Sequence, residues 1–403
     1  MARNANADQL RQDLVEHLRA RGVLADQRVA AAFAEVPRHR FLPGTPLEKV
    51  YSDAAIPIKS DDQGIVVSSS SQPRMMAIML NQAGVQPGHN VLEIGTATGY
   101  NAAITQHIVG DAGSVTSLEI DNDLSRQATK NLHSAGYSMV KVVQVDAAAG
   151  YAPRASYDRI LSTVGVWDVP EQWLQQLKPD GVLVVPIAMD GVQASAAFKP
   201  QPDGTFLSVD NQPCGFVQLR GEGTGPNTMM RVGTTALHLM ADDLHKIDSA
   251  ALHMLLSDDQ GLCHLETVIE HFDDWYGFQL YLMLNEPSGY IFAVYVVPEG
   301  RKPYGMEYSG MALFAPASAA FAAFQDRGNV HCFAGADAVL AMQEKVDEWK
   351  AIGRPRAQEL RMRLIPRAQG EPQLEHIEQL KRGKVYERRQ HYLHVWLEEN
   401  TTT

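Results

Sequence analysis

The chain has 403 residues, with 35 Lys and Arg against 47 Asp and Glu, a formal charge of −12 and an apolar fraction of 45%. At roughly 150 residues per domain this length holds two or three units, each able to bury its own core, so disorder is excluded as the default state. The acidic balance and the lack of a Lys/Arg stripe exclude nucleic acid as the main partner, and no apolar run approaches the roughly 18 residues of a membrane span. The opening MARNANADQLRQD is too polar for a signal peptide, so the expected location is the cytoplasm. Cys214, Cys263 and Cys332 lie far apart with no CxxC pair, so they are expected to be buried free thiols, and no metal site is expected.

In chain order, Leu10, Leu14 and Leu18 mark a first helix, and a second opens at Asp26, carries Val29, Phe33 and Val36, and closes at Pro37. Residues 43–67 are punctuated by Pro and Gly and read as loop. After the run Ser68-Ser69-Ser70-Ser71, the spacing predicts a helix with Ser71 as N-cap, Pro73 in its first turn and Met75, Met76, Met79 and Leu80 as its apolar stripe. From residue 90, the runs VLEI, SVTSLEI, MVKVVQV, DRILST and GVLVVPI alternate with helical stretches near 100–109, 123–135 and 170–178. This alternation predicts an α/β fold with a doubly wound, mostly parallel sheet. ASAAFKP and GFVQLRG follow as two antiparallel segments.

The expected organisation is a first domain over 1–220, a linker over 221–230 around GEGTGPN, and a second, α+β domain over 231–403. That second domain offers helices near 243–256 and 335–350, and strands at FQLYLML, YIFAVYVV, ELRMRLIP and HYLHVWLE. His264, His271 and His331 lack metal-ligand spacing, and KRGKVYERR reads as a solvated face.

The segment VLEIGTATGY, residues 91–100, sits where a strand turns into a helix. Glycines there let the backbone approach a ligand, and the helix presents free N–H groups. Glu119 ends the second strand, 26 residues beyond Glu93, where a carboxylate can accept both ribose hydroxyls, and Asp146 ends the third. The turn is E-x-G-x-x-x-G, not the G-x-G-x-x-G of dinucleotide sites. The three acids together match the arrangement of S-adenosylmethionine (SAM) methyltransferases.

Over about its first 220 residues the chain resembles the protein-L-isoaspartate O-methyltransferase family, through RVAAAFAEVPRHRFLP, YSDAAIPI, SSSSQP, VLEIGTATGY and STVGVWDVPEQWLQQLKPDGVLVVPI in family order. The resemblance implies a class I SAM methyltransferase fold with SAM as cofactor. It implies that Glu93, Gly95 and Gly99 cradle the methionine end, with Thr96 in the same loop, that Glu119 holds the ribose, that Ile120 also belongs to the cofactor site, and that Asp146 and Ala147 sit at the adenine. Ser71 would lie beside the transferred methyl as an orienting donor, with Ser69 or Ser70 shaping the pocket. The sequence departs from the family at Ala97, which replaces a loop glycine, at the serine run, which replaces Thr-Ile-Ser, and in the some 175 residues that follow.

Longer members of the family resemble methyltransferases that tailor ribosomally made peptides such as lanthipeptides, lasso peptides and graspetides. The first expectation is therefore carboxyl O-methylation of an aspartyl residue in a modified peptide, the ester closing to succinimide and opening to isoaspartate. The alternative is repair of isoaspartyl proteins. A third reading, from another class, is a non-catalytic SAM-binding partner. The second domain is expected to serve substrate recognition or dimerisation.

Overall fold

The computed structural model describes residues 2–62, 64–257, 260–266, 268–369 and 383–398. It divides the chain into two compact units. One comprises the residues up to Ile187, Ser195–Gly225 and Arg388–His391; the other comprises Ala188–Ala194, Pro226–Glu387 and the residues from Tyr392. Gly221–Gly225, expected as the start of a linker, therefore belongs to the first unit.

The first unit opens with α1 (Ala2–Ala20) and α2 (Gln27–Glu35). The Asp26 carboxylate caps α2 by accepting from the Arg28 amide at 2.8 Å. Leu14, Leu18, Val29, Phe33 and Val36 are buried, so the periodic stripe does become the packed face. The stretch read as loop carries α3 (Leu47–Val50) and an antiparallel hairpin, β1 (Ile56–Ser60) with β2 (Val66–Ser70). The serine run is thus mostly strand. Ser68 and Ser70 are buried, the alternation that a half-buried strand requires.

Helix α4 (Pro73–Ala83) buries Met75, Met76, Met79 and Leu80, with Pro73 in its first turn. Ser71 is not its N-cap. That position falls to Gln72, which makes no side-chain cap bond, and the Arg74 amide is satisfied by Asp53 Oδ1 at 2.8 Å. A distant carboxylate has taken over the local serine's task.

The core sheet follows the expected alternation: β3 (Asn90–Ile94), α5 (Tyr100–Val109), β4 (Ser114–Glu119), α6 (Asn122–Ala135), β5 (Lys141–Gln144), β6 (Tyr157–Ser162), α7 (Glu171–Gln175) and β7 (Leu177–Met189). The strands run parallel in the order β7-β6-β3-β4-β5. In this doubly wound order the chain leaves β3 in one direction and returns past it to β6, so the switch point lies between those two strands. β8 (Val192–Pro200) and β9 (Phe206–Pro213) continue the sheet beyond β7. The second antiparallel segment is therefore Phe206–Pro213, not GFVQLRG, whose only ladder contact among the described residues is a parallel bridge between Gly165 and Gln218.

The second unit contains a seven-stranded antiparallel sheet. Its members are β10 (Met229–Arg231), β11 (His238–Met240), β12 (Gln260–His264), β13 (Ile291–Val296), β14 (Gly310–Ala315), β15 (Ser318–Ala322) and β16 (Asn329–Phe333), in the order β10-β11-β13-β14-β15-β16-β12. Helices α8 (Ser249–Ser257), α9 (Phe272–Leu284) and α10 (Asp337–Ala351) accompany it, and β17 (Leu360–Pro366), β18 (Lys384–Glu387) and β19 (His391–Leu397) lie outside that seven-stranded sheet.

FQLYLML, read as a strand, is the second half of α9. Every residue from Trp275 to Leu284 is buried. A helix covered on all sides shows no 3.6-residue period, so its sequence cannot be told from that of a buried strand.

Cys263 and Cys332, expected as free thiols, are joined in a disulfide between neighbouring strands β12 and β16, with Cα atoms 6.2 Å apart; Cys214 is free. The register accounts for the bond: Cys332 faces Gly261, two residues before Cys263, which brings two distant cysteines together. KRGKVYERR is a solvated face only in part where it is described, with Glu387 and Arg389 exposed. Lys384 pairs with Asp190 at 2.8 Å and Glu286 at 3.1 Å, and Arg388 is 2% exposed; Lys381 and Arg382 lie outside the described residues. No helix among the described residues is long and apolar enough to cross a membrane.

Candidate active site

The carboxyl ends of β3, β4 and β6 open into a cleft at the switch point. It encloses about 540 Å³ of space, its solvent-open mouth included. Ile94 and Gly95 come from β3 and its turn, Leu118, Glu119 and Ile120 from β4, Thr163 and Val164 from the end of β6, and Ala147 from the turn after β5. Val67, Ser68 and Ser69 of the hairpin contribute another part of the lining, and Val217–Arg220 a further wall.

The turn after β3 is held open by its backbone. Gly95 has φ +93°, and a Cβ there would stand 2.8 Å from Thr163 Oγ1, so only glycine fits this approach. Ala97 also lies in the left-handed region, at φ 47°, as a family glycine would. Its amide donates to Glu119 Oε2 at 2.9 Å, a bond that offsets part of the conformational cost. Glu119 Oε1 accepts from the Asp121 amide at 3.0 Å, and Arg220 Nη2 stands 4.0 Å from it. Each carboxylate oxygen keeps a further acceptor site for a ligand hydroxyl.

Glu93 is not in the cleft lining but beneath the turn, 1% exposed. Asn101 Nδ2 donates to its Oε1 at 2.7 Å and the Ser117 hydroxyl donates to Oε2. Thr96 Oγ1 lies 2.6 Å from that same Ser117 oxygen. Burial pushes the Glu93 carboxyl up to about 7, while the bonds from Ser117 and Asn101 hold it down from higher values. Gly99, at φ 85°, is the N-cap of α5. Glu93, Thr96 and Gly99 thus shape the turn from behind.

Asp146 also stands outside the lining, next to Ala147. Its Oδ1 accepts from the Ala148 amide at 2.9 Å and its Oδ2 from the Glu222 amide at 2.7 Å. Among the described residues the serine run divides in the same way: Ser68 and Ser69 line the cleft, whereas Ser70 and Ser71 do not. Behind them sits Arg38, fully buried, donating to the Ser71 carbonyl at 3.0 Å and the Ser70 hydroxyl at 3.4 Å.

Of the residues expected at the site, Ser69, Gly95, Glu119, Ile120 and Ala147 are therefore in the lining, and the others are in its support. Sequence reasoning missed Val67, Ser68, Thr163, Val164 and Val217–Arg220. Thr163 and Val164 follow the fourth parallel strand, where the switch-point rule places ligands. Val217–Arg220 carried no such signal because its extended pattern reads as an ordinary strand.

A doubly wound sheet, an acid-glycine turn at its switch point and a buried acid ending the neighbouring strand define a class I SAM-dependent methyltransferase. The residues fit that cofactor: an acceptor carboxylate for a diol, a glycine turn that a Cβ would fill, and apolar walls from Ile94, Leu118, Ile120, Val164 and Leu219. The chain belongs to the protein-L-isoaspartate(D-aspartate) O-methyltransferase family, whose family model matches residues 9–224. It is 39% identical over 213 residues to the protein-L-isoaspartate O-methyltransferase of Methanopyrus kandleri, covering 53% of this chain and 92% of the relative. It is 36% identical over 215 residues to protein-L-isoaspartate O-methyltransferase 2 of Archaeoglobus fulgidus, covering 53% of this chain and 94% of that relative. A solved protein-L-isoaspartate O-methyltransferase structure matches with a TM-score of 0.50 and 25% identity, over 88% of this chain and 96% of its own.

Proposed function

We propose that the chain transfers a methyl group to the free α-carboxylate of an isoaspartyl residue in a protein or peptide. The observation that carries this reading is that Ser68 and Ser69 line one cleft with Gly95 and Glu119. Bound there, SAM supplies an electrophilic methyl group. A carboxylate acceptor is already ionised at neutral pH, with a reference pKa near 4, so the protein needs no strong base. Its tasks are alignment and desolvation. Ser69 donates to one carboxylate oxygen and leaves the other free to attack. Glu119 holds the ribose, and Ala147 with Asp146 receives the adenine.

The methyl ester so formed has a better leaving group than the acid. The next residue's backbone nitrogen attacks the ester carbonyl, methanol departs with the amide proton, and a succinimide closes, which water opens to aspartate or isoaspartate.

A second reading, that the acceptor is an aspartyl residue of a modified ribosomally made peptide, rests on the serine strand in place of Thr-Ile-Ser. The second unit does not separate the readings, since a solved protein-L-isoaspartate O-methyltransferase matches over 88% of this chain. The test is incubation with SAM and three acceptors: an isoaspartyl peptide, its aspartyl isomer, and a cyclised precursor peptide with one Asp. A methyl gain on the isoaspartyl peptide alone supports repair chemistry. Modification of the precursor alone supports the second reading, and no methyl gain on any carboxylate acceptor overturns both.

A further inference from the structure

The turn Arg388–His391 lies between two strands of the second unit in sequence, yet it packs as part of the methyltransferase unit. Three features fix it there. Asp168 accepts from the Gln390 amide at 2.6 Å and lies 3.1 Å from His391 Nδ1. The Glu171 amide donates to Gln390 Oε1 at 2.5 Å. The Arg388 guanidinium sits 4.4 Å from the Trp167 ring centroid, a stacking distance.

So anchored, the turn presents Arg389, whose Nη1 donates to the Glu222 carbonyl at 2.9 Å and Nη2 to the Thr224 carbonyl at 3.0 Å. Those carbonyls belong to the short segment that follows the cleft wall Val217–Arg220. On its other side the segment reaches Asp146, through the 2.7 Å bond from the Glu222 amide to Oδ2. The approach is close: Gly221 has φ +84°, and a Cβ on it would fall 2.1 Å from that oxygen. Glycine at 221 is therefore a condition for the segment to lie against Asp146 at all.

We propose that Arg389 is a positioning residue for the cofactor's adenine end. By clamping Glu222 and Thr224 it holds the segment on Asp146, which fixes the carboxylate's orientation and the wall Val217–Arg220 before any ligand arrives. Preorganisation of this kind improves affinity by removing ordering that binding would otherwise have to supply. The planar guanidinium suits the role, since its rigid fork holds two N–H donors in a fixed geometry toward two carbonyls, whereas an ammonium on a flexible stem is less preorganised. The proposal rests on the reading that the adenine is received at Ala147, beside Asp146, and the experiment separates the two.

Calorimetric titration of SAM into the full chain compares wild type with Arg389→Ala, Arg389→Lys and Asp146→Ala. With two modest hydrogen bonds removed, Arg389→Ala is expected to raise the SAM Kd about 3-fold to 10-fold. Arg389→Lys should give a smaller rise. In steady-state assays with an isoaspartyl peptide, the KM for SAM should rise in parallel and the KM for the peptide should not. A normal SAM Kd in Arg389→Ala beside a weakened one in Asp146→Ala overturns the proposal alone. A normal Kd in Asp146→Ala overturns the adenine placement and this proposal with it. Arg389→Lys keeps charge and length, so it still reads out should Arg389→Ala fail to fold.

Discussion

Arg38 donates to the Ser71 carbonyl at 3.0 Å, tying a buried cation of the amino-terminal segment to the exit of the serine strand. Its remaining bonds go to the Val50 carbonyl at 2.9 Å, the Ser52 carbonyl at 3.2 Å, the Ala54 carbonyl at 3.4 Å and the Ser70 hydroxyl at 3.4 Å. Every partner is neutral, so the side chain acts as a multidentate donor that gathers three chain segments. Arg38→Met removes all five bonds without opening a large cavity, and several buried acceptors lose their partner. The expected cost is roughly 3 kcal/mol or more, read from urea unfolding; a loss under about 1 kcal/mol would show that the carbonyls find other donors.

The Ser68–Ser69 placement makes a graded prediction for the hydroxyls. Ser69→Ala should lower kcat/KM for the peptide about tenfold, the value of one modest hydrogen bond made in the transition state, with SAM affinity unchanged. Ser71→Ala should cost less, because Ser69 and not Ser71 is in the cleft lining. The reverse ranking in steady-state assays would return the orienting role to Ser71.

Glu119 bonds two backbone amides, those of Ala97 and Asp121, besides its proposed ribose role. Glu119→Ala is expected to raise the SAM Kd at least about tenfold, since hydrogen bonds to a charged acceptor contribute about 1.5–3 kcal/mol. Calorimetry decides it: an unchanged Kd would remove Glu119 from the ribose.

Glu93 predicts a pH dependence. Its carboxyl is raised from 4.5 to about 7 by burial, so between those values the folded chain holds a proton that the unfolded chain has released. Stability from this group is complete below pH 4.5 and is lost as pH rises to about 7, with a slope near 1.4 kcal/mol per pH unit. Glu93→Gln lacks the proton uptake. Its stability relative to wild type should therefore increase between pH 5 and pH 8, measured as the difference in thermal midpoints; a difference independent of pH would place the Glu93 pKa near its ordinary value.

How much of this was legible in the sequence depended on whether the signal was local. Asp26 capped the helix it precedes, and the strand-helix alternation from residue 90 became the parallel sheet, because caps and periodicity act over a few residues. Glu119 was readable since its position at a strand end fixes where its carboxylate stands. Ser71 was misread as a cap because Asp53, some twenty residues earlier, supplies the acceptor. Arg38, the Cys263–Cys332 bond and the Val217–Arg220 wall depend on which distant segments meet, and residue spacing carries no record of that.

The wall Val217–Arg220 has a temporal consequence. It joins the strand ends through the Gly165 amide, which donates to the Val217 carbonyl at 2.8 Å, and the Leu219 amide, which donates to the Gly165 carbonyl at 2.8 Å. More than fifty residues separate the partners. During synthesis the five parallel strands are complete once Met189 has emerged, but the cleft is still missing one side. Cofactor affinity should therefore appear later in chain growth than the folded sheet itself, and ribosome-stalled chains of increasing length would display the interval between the two.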